Sequence, residues 1–326
     1  MEVASYFSGI GGMDFGLHKA GLHIISQCEK DDYRREVLKA RFSGVQIYED
    51  ISEVYYGEPK SRGALDGFHK SDKRRRKTWA GLSSSIDLLC GGFPCQDLSV
   101  AGKRAGLKGE RSGLFYEFAR IADESVRDGG FVLIENVPGL YSSNEGEDFR
   151  ILLETLYECG FNDLAWRTLN SQYFGVPQRR RRIFILGRRS RGTSCAKILL
   201  EPESGNRNIE KSDKKKQNIA KPLGSGIRKG GGGYRNDLDN DTYISGPLTR
   251  RYSKGINSTI DDGAAIIEQI GVRRLTPKEC ERLQGLPDDW TQLGNTSDTK
   301  RYAAIGDAVT VPVAEWIGRR ILKYAR

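Results

Sequence analysis

Ile86-Asp87-Leu88-Leu89-Cys90 is a short, mostly apolar run of strand length that stops abruptly at Gly91-Gly92-Phe93-Pro94-Cys95-Gln96. Such a run predicts a buried strand. The two glycines break it, and Phe93-Pro94 stiffens the exit by fixing the proline φ and restricting the residue before it. Cys95 therefore falls on a constrained loop at the carboxyl end of a strand, which is where ligands and chemistry collect in open α/β sheets. An isolated free cysteine is most often a small buried hydrophobe. So much special backbone around one side chain argues instead for a presented thiol, a candidate nucleophile.

The same strand-then-turn grammar recurs along the chain. Val3 to Phe7 predicts a strand, Ser8-Gly9-Ile10-Gly11-Gly12 a glycine-rich turn, and Met13 to Ala20 a helix ending at Gly21. That is the opening of a nucleotide-binding α/β unit, with glycines permitting close backbone approach to a ligand. Asp14 stands three residues after Gly11, so the Gly-x-Gly-x-x-Gly dinucleotide fingerprint is absent. His23 to Cys28 predicts a second strand ending at Glu29, followed by a helix over 32–42. A carboxylate at that strand end is placed to bond ribose hydroxyls, whereas Asp31 suits the helix N-terminus. Gln46 to Tyr48 predicts a third strand, ending in Glu49-Asp50-Ile51.

Further on, Leu98 to Gly113 is rich in Gly, Lys, Arg and Ser, as expected of a mobile cationic loop beside the thiol, and Leu114 to Ser125 predicts an amphipathic helix. Phe131 to Ile134 predicts a buried strand delivering Glu135-Asn136-Val137-Pro138, where Pro138 and Gly139 argue against a helix starting at once. Glu135 and Cys95 at neighbouring strand ends would make an acid–nucleophile pair. Phe174-Gly175-Val176-Pro177-Gln178-Arg179-Arg180-Arg181-Arg182 leads into the apolar strand Ile183 to Leu186. Strand alternation puts Arg180 and Arg182 on one face and Arg179 and Arg181 on the other. Near the end, Thr276, Pro277, Glu279 and Gly285 carry the signals of a capped helix, and 311–324 predicts a final amphipathic helix.

Composition limits the chemistry. The chain has only three histidines, so a histidine base or a histidine-rich metal site has little material and no metal is expected. Six cysteines occur without Cys-x-x-Cys spacing, which fits a reducing cytoplasm and not a disulfide framework. The N-terminus has no signal-peptide pattern and no apolar run suits a membrane span, so no membrane partner is expected. A net charge of +9 suggests an acidic partner such as nucleic acid. Two polar stretches, 55–85 with Lys73-Arg74-Arg75-Arg76-Lys77 and 201–241 with its lysine cluster and four consecutive glycines, are expected to be insertions.

Gly-Phe-Pro-Cys-Gln at 92–96 resembles the catalytic motif of the cytosine-C5 DNA methyltransferases. Phe-x-Gly-x-Gly-Gly at 7–12, Asp50-Ile51, Glu135-Asn136-Val137, Gln178-x-Arg180-x-Arg182 and the string from Arg273 to Pro287 are similar to that family's other motifs, in the family's order. The resemblance covers most of the chain apart from 55–85 and 188–270. It implies an α/β fold of the S-adenosylmethionine-dependent type: a doubly wound, mostly parallel sheet formed by 1–187 with 299–326, and a smaller target-recognition domain over 188–298. It implies a cofactor site at Phe7, Ser8, Gly9, Ile10, Gly11, Glu29 (ribose), Lys30, Asp50 (adenine amino group), Ile51, Gly92, Pro94, Leu114 and Asp307. Catalysis would fall to Cys95, Glu135, Arg180 and Arg182, and DNA contact to Gln96, Ser99, Lys103, Arg104, Arg111 and Gln178. Most relatives have Asn where Asp307 stands, and a carboxylate there would favour the ammonium of the cofactor's methionine and disfavour its carboxylate.

The residue types suit that reaction. C5 of cytosine is a poor nucleophile, and addition of a thiolate to C6 turns the ring into an enamine with electron density at C5. A group at N3 offsets the charge that addition creates, and nearby arginines favour the thiolate. The expected activity is thus DNA (cytosine-5-)-methyltransferase on double-stranded DNA, by a monomer, with a cognate restriction endonuclease acting separately. Alternatives are an RNA cytosine methyltransferase, whose Cys-Phe-Thr signature is absent, and a silent DNA-binding relative, which would be expected to lose Cys95 or Glu135. A dinucleotide-dependent dehydrogenase is opposed by the missing fingerprint.

Overall fold

A computed structural model describes residues 1–56, 77–78, 85–94, 113–190, 194–200, 265–268 and 271–325. The strands are β1 (Glu2–Tyr6), β2 (His23–Cys28), β3 (Gln46–Tyr48), the two-residue β4 (Val54–Tyr55) and β5 (Lys77–Thr78), β6 (Ile86–Gly91), β7 (Val126–Asn136), β8 (Asp163–Asn170), β9 (Arg181–Arg188), β10 (Ala265–Glu268) and β11 (Gly271–Arg274). The α-helices are α1 (Gly12–Lys19), α2 (Asp32–Arg41), α3 (Gly113–Ser125), α4 (Glu147–Glu158), α5 (Ser194–Leu199), α6 (Pro277–Leu283), α7 (Asp298–Asp307) and α8 (Val311–Tyr324). Seven strands form one sheet in the order β3-β2-β1-β6-β7-β9-β8. The first five are parallel, and β9 runs antiparallel to both β7 and β8. The mostly parallel sheet expected from the sequence is therefore present.

Side-chain alternation divides the core into two layers. Leu89 of β6, Val132 and Ile134 of β7, and Ile183 and Ile185 of β9 pack with Phe115, Phe118 and Ile121 of α3 and with Leu152 and Leu156 of α4. Their neighbours Leu88, Cys90, Leu133 and Leu186 point the other way, onto Leu17 of α1, Ile198 of α5, and Ile317 and Ile321 of α8. Burial on both faces is why these strands read as continuous apolar runs.

Strand order reverses between β1 and β6. The chain moves outward from β1 to β2 and β3, then returns to β1's other side, and a crevice opens at the carboxyl ends of the strands at such a switch point. The C-terminal segment closes one side of it. A Cβ on Gly12 would lie 2.3 Å from the Val309 carbonyl oxygen, so the second glycine of Gly11-Gly12 serves close approach of chain to chain. Gly11 has φ +81° and caps α1, with Phe42 and Leu38 against it. These two glycines admit protein, not ligand.

Cys195, Ile198 and Leu199, beyond the expected limit at 187, are buried with α8. Residues 275–293, assigned to the smaller domain, pack onto α2: Leu283 and Trp290 join Val37, Leu38 and Phe42, and Trp290 Nε1 donates to the Ile10 carbonyl at 2.8 Å. Arg41 adds bonds to the Asp289 and Trp290 carbonyls. Pro138 also departs from expectation, because it opens a single 3₁₀ turn, Pro138–Tyr141, where its missing N–H is tolerated.

Asp14 sits beneath the crevice, fully buried, with Gln27 Nε2 donating at 2.7 Å and Ser5 Oγ at 3.0 Å. Burial pushes its carboxyl from 3.8 to about 6, against those two hydrogen bonds. Because the folded value is the higher one, folding favours the protonated form. Its contribution is full below the ordinary value and falls as pH rises through about 6. Asp14→Asn keeps an acceptor for Gln27 and removes the ionisation. Relative to wild type, the variant is expected to gain about 1.4 kcal/mol between about pH 5 and about pH 7.5, measured by urea unfolding at both. A difference that does not change with pH would show that Asp14 does not ionise in this range.

Candidate active site

The crevice is a cleft of about 930 Å³ lined by the carboxyl ends of β1, β2, β3, β6 and β7 together with Arg180, Arg182 and the segment 306–309. β1 ends in Phe7, whose φ of 58° is unusual for a residue with a side chain. Two backbone N–H groups hold that turn: Ser8 N–H donates to the Cys28 carbonyl at 3.1 Å, and Gly9 N–H donates to the Glu29 side chain's Oε2 at 2.8 Å. Strain of this kind persists only when the surroundings impose it. Gly9 (φ +57°) has nothing within 4 Å of where a Cβ would stand, so the cleft in front of the turn is clear.

β2 and β3 deliver two carboxylates. Glu29 accepts from Gly9 N–H and, through Oε1, from Asp31 N–H at 2.9 Å. Asp50 Oδ1 accepts from the Ser52 N–H and hydroxyl at 2.9 and 2.8 Å, and Oδ2 from Lys30 Nζ at 2.9 Å. Burial alone would raise the Asp50 carboxyl, but the Lys30 and Ser52 hydrogen bonds hold it below the ordinary carboxylate range. Asp31 caps α2 by accepting from Arg34 N–H at 3.0 Å, the helix role expected for it.

β6 and β7 run side by side and end together, with Gly91 paired to Ile134. Glu135 lies over the Gly92 backbone: a Cβ on Gly92 would sit 2.9 Å from Glu135 Oε2. Asn136 Nδ2 donates to the Phe93 carbonyl at 3.3 Å and its Oδ1 accepts from Val137 N–H at 2.8 Å. Phe93 is anchored among Phe7, Phe115 and Phe118. The segment that leads into Cys95 is thus fastened to the acid-bearing strand from two sides.

At the entry to β9 the predicted alternation holds: Arg180 and Arg182 turn inward while Arg179 and Arg181 are exposed. Arg182 Nε pairs with Glu135 Oε1 at 2.9 Å. Arg180 Nη1 donates to the Gly306 carbonyl at 3.1 Å. Burial, and then the like charge of Arg182, push the Arg180 guanidinium down to about 9, so it remains a cation at neutral pH.

Of the expected site residues, the cleft gathers Phe7, Ser8, Gly9, Glu29, Lys30, Asp50, Ile51, Gly92, Pro94, Leu114, Glu135, Arg180, Arg182 and Asp307. Ile10 and Gly11 are not among them. Ile10 is buried under Trp290, in the core that α6 and α7 share with α2. Gln178, expected at DNA, is 0% exposed, and its Nε2 donates to the Leu283 carbonyl at 3.0 Å. It joins the arginine segment to α6 and presents no polar atom outward. Cys95, Gln96, Ser99, Lys103, Arg104 and Arg111 lie outside the described residues, as do most of the expected insertion 55–85 and all of 201–241. Asn136, which stands inside a motif without an expected role, and Arg34, which stands in none, also line the cleft. The other five cysteines, Cys28, Cys90, Cys159, Cys195 and Cys280, are free and buried, and burial pushes every one of their thiols up.

These groups suit an adenosine-bearing sulfonium. Two acceptor carboxylates stand where ribose hydroxyls and an exocyclic amine can donate, the turn at Gly9 leaves room, and Phe7, Ile51 and Leu114 supply apolar wall. Among the described residues no helix is long and apolar enough to cross a membrane.

The sequence profile of the C-5 cytosine-specific DNA methylase family matches residues 1–262 and 201–323. Type II methyltransferase M2.BsuMI of Bacillus subtilis is 30% identical over 98% of this chain and 75% of its own length. Type II methyltransferase M.NgoBI of Neisseria gonorrhoeae is 31% identical over 96% of this chain and 90% of its own. Among solved structures, the Entamoeba histolytica methyltransferase EhMeth aligns over 100% of this chain and 97% of its own, with a TM-score of 0.62 at 14% identity. The S. pombe Dnmt2 methyltransferase aligns over 99% of both chains with a TM-score of 0.59 at 18% identity. At such identities these two likenesses speak to the fold.

Proposed function

The chain belongs to the C-5 cytosine-specific DNA methylase family, and from the cleft we propose which of its residues carry that family's reaction. The protein is a DNA cytosine-5-methyltransferase that uses S-adenosylmethionine as methyl donor and DNA as substrate. The observation that carries the residue assignment is Glu135 seated over Gly92, with Asn136 holding the Phe93 carbonyl, three and two residues before Cys95.

Glu29 and Asp50 would hold the cofactor's ribose hydroxyls and adenine amino group, with Phe7 and Ile51 as apolar wall of the same cleft. The bound cofactor supplies a sulfonium methyl, an electrophile for carbon. Cys95 Sγ adds to C6 of the cytosine, forming an S–C bond and sending the C5–C6 electron pair toward C5 and the N3–O2 edge. Glu135 holds a proton at N3 there, and Arg182, paired with it, fixes its carboxyl. Arg180 and Arg182 supply the positive potential that favours the Cys95 thiolate. After transfer, loss of the C5 proton re-forms the double bond and expels the thiolate. A cytosine stacked in a duplex cannot reach such a cleft, so the base is extruded into it.

Target recognition belongs, in this reading, to the part of 188–298 left after 194–200 and 275–298 are assigned to the large domain's cores. Lys103, Arg104 and Arg111 contact the DNA backbone. The protein works as a cytoplasmic monomer, where free thiols persist, with a separate restriction endonuclease as its counterpart, in keeping with relatives named as Type II methyltransferases.

Bisulfite sequencing of a random-sequence duplex library, after incubation with protein and S-adenosylmethionine, tests the activity and reads the target site together. Protected cytosines in one short context are expected. No protection, from folded protein that binds the cofactor, would redirect the assignment to RNA substrates or to a silent binding role.

A further inference from the structure

Arg34 is in no motif, yet it enters the cleft. It stands on the first turn of α2, and its Nη2 meets Asp307 Oδ2, at the end of α7, at 2.5 Å. The two side chains are 15% and 36% exposed, so the pair forms part of the wall and still faces open space. Among the described residues this is the guanidinium's only hydrogen bond, and Asp307 Oδ1 accepts none. An arginine presents five N–H donors in a planar fork, so donors and one carboxylate oxygen remain for a ligand.

Their position fits one end of the cofactor. Asp307 follows Gly306, whose carbonyl holds Arg180 beside the Glu135–Arg182 pair. Arg34 shares the cleft wall with Glu29, the expected ribose acceptor, and lies near enough to feel its charge. The Arg34–Asp307 pair thus borders both the nucleoside carboxylates and the arginines of the reacting end. That is where the sulfonium joins ribose and the amino-acid tail branches off. The tail carries an ammonium and a carboxylate on one carbon, which is a zwitterion.

We propose that Arg34 and Asp307 together form the receptor for this zwitterion, Arg34 donating to the carboxylate and Asp307 accepting from the ammonium. The inference rests on the placement of the cofactor in the cleft. It gives the carboxylate at 307 a role in the cleft. Alone it would repel the tail's carboxylate, and Arg34 neutralises it and supplies the matching donor. A guanidinium fork suits a carboxylate in two-point contact in a way that an ammonium does not. Burial alone would push the Arg34 guanidinium down, but Asp307 and Glu29 beside it more than offset that, and the cation is retained.

The test is equilibrium binding, by calorimetry, of S-adenosylhomocysteine and of 5′-methylthioadenosine, which keeps the adenosine and the sulfur but lacks the amino-acid carbon. The proteins are wild type, Arg34→Gln and Arg34→Lys. Wild type is expected to prefer the homocysteine compound. Arg34→Gln should weaken that ligand by about tenfold or more and leave methylthioadenosine within about twofold, with Arg34→Lys intermediate. Equal weakening of both ligands, or of neither, overturns the pair as a zwitterion receptor while leaving the cleft as the cofactor site. A wild type that binds neither ligand overturns the cofactor placement and the pair with it.

Discussion

Replacing Cys95 with alanine is expected to reduce methyl transfer to background, a loss on the order of 10⁴-fold or greater. Binding of S-adenosylhomocysteine and of duplex DNA should be retained. Cys28, Cys90, Cys159, Cys195 and Cys280 are buried, and burial raises every one of those thiols, the reverse of what a nucleophile needs. Cys28 borders the cleft but follows the others in this respect. No second thiol among the described residues can stand in, so the loss should be complete. A duplex carrying 5-fluorocytosine at the target position gives a second readout. Fluorine at C5 cannot leave as a proton, so the wild-type enzyme should stay attached after denaturation and Cys95→Ala should not. Turnover by the variant above one-hundredth of wild type would remove Cys95 from the mechanism.

What could be read from the sequence follows the burial of each element. β2 begins and ends where its apolar run does, and α8 spans its predicted residues, because these elements are packed against the core and their patterns are undiluted. β8, by contrast, is an edge strand with Trp166 and Arg167 facing partly outward, so its alternation is blurred and no strand was expected there. Nor was α4, or α7, whose Asp298-Thr299-Lys300 start is polar and whose last turn contains Gly306. At the site, the strand-end acids Glu29, Asp50 and Glu135 were legible because a sheet puts strand ends in one place. Arg34 was not, since it is one of several charged residues along α2 and its role depends on Asp307, 273 positions away in the chain. Gln178 and Gly12 show the opposite relation. Both stand within motifs that invite a ligand reading, and both are occupied by the chain's own folding, against Leu283 and Val309.

Glu135→Gln is the second large effect, and its value lies in what it leaves intact. Glutamine has the same shape and keeps one acceptor oxygen for Arg182 Nε, which now stands 2.9 Å from Oε1. Gly92 still gives room for the terminal atoms, and Asn136 still holds the Phe93 carbonyl. Cofactor and DNA binding should therefore change by less than about threefold, while kcat falls by roughly 10² to 10⁴-fold, the usual range for removing a positioned acid–base group. Glu135→Ala would confound the two effects, because it strips Arg182 of its ionic partner in a largely buried place, and leaving one charge of a buried pair uncompensated is itself destabilising. The informative comparison is kcat against KM for DNA in Glu135→Gln, with urea unfolding run on both variants. If Glu135→Gln lowers kcat with stability unchanged, the carboxyl acts on the base. If Glu135→Gln keeps wild-type kcat and only Glu135→Ala fails, the residue serves to brace Arg182 and the entry to Cys95, and protonation at N3 must come from elsewhere in the cleft.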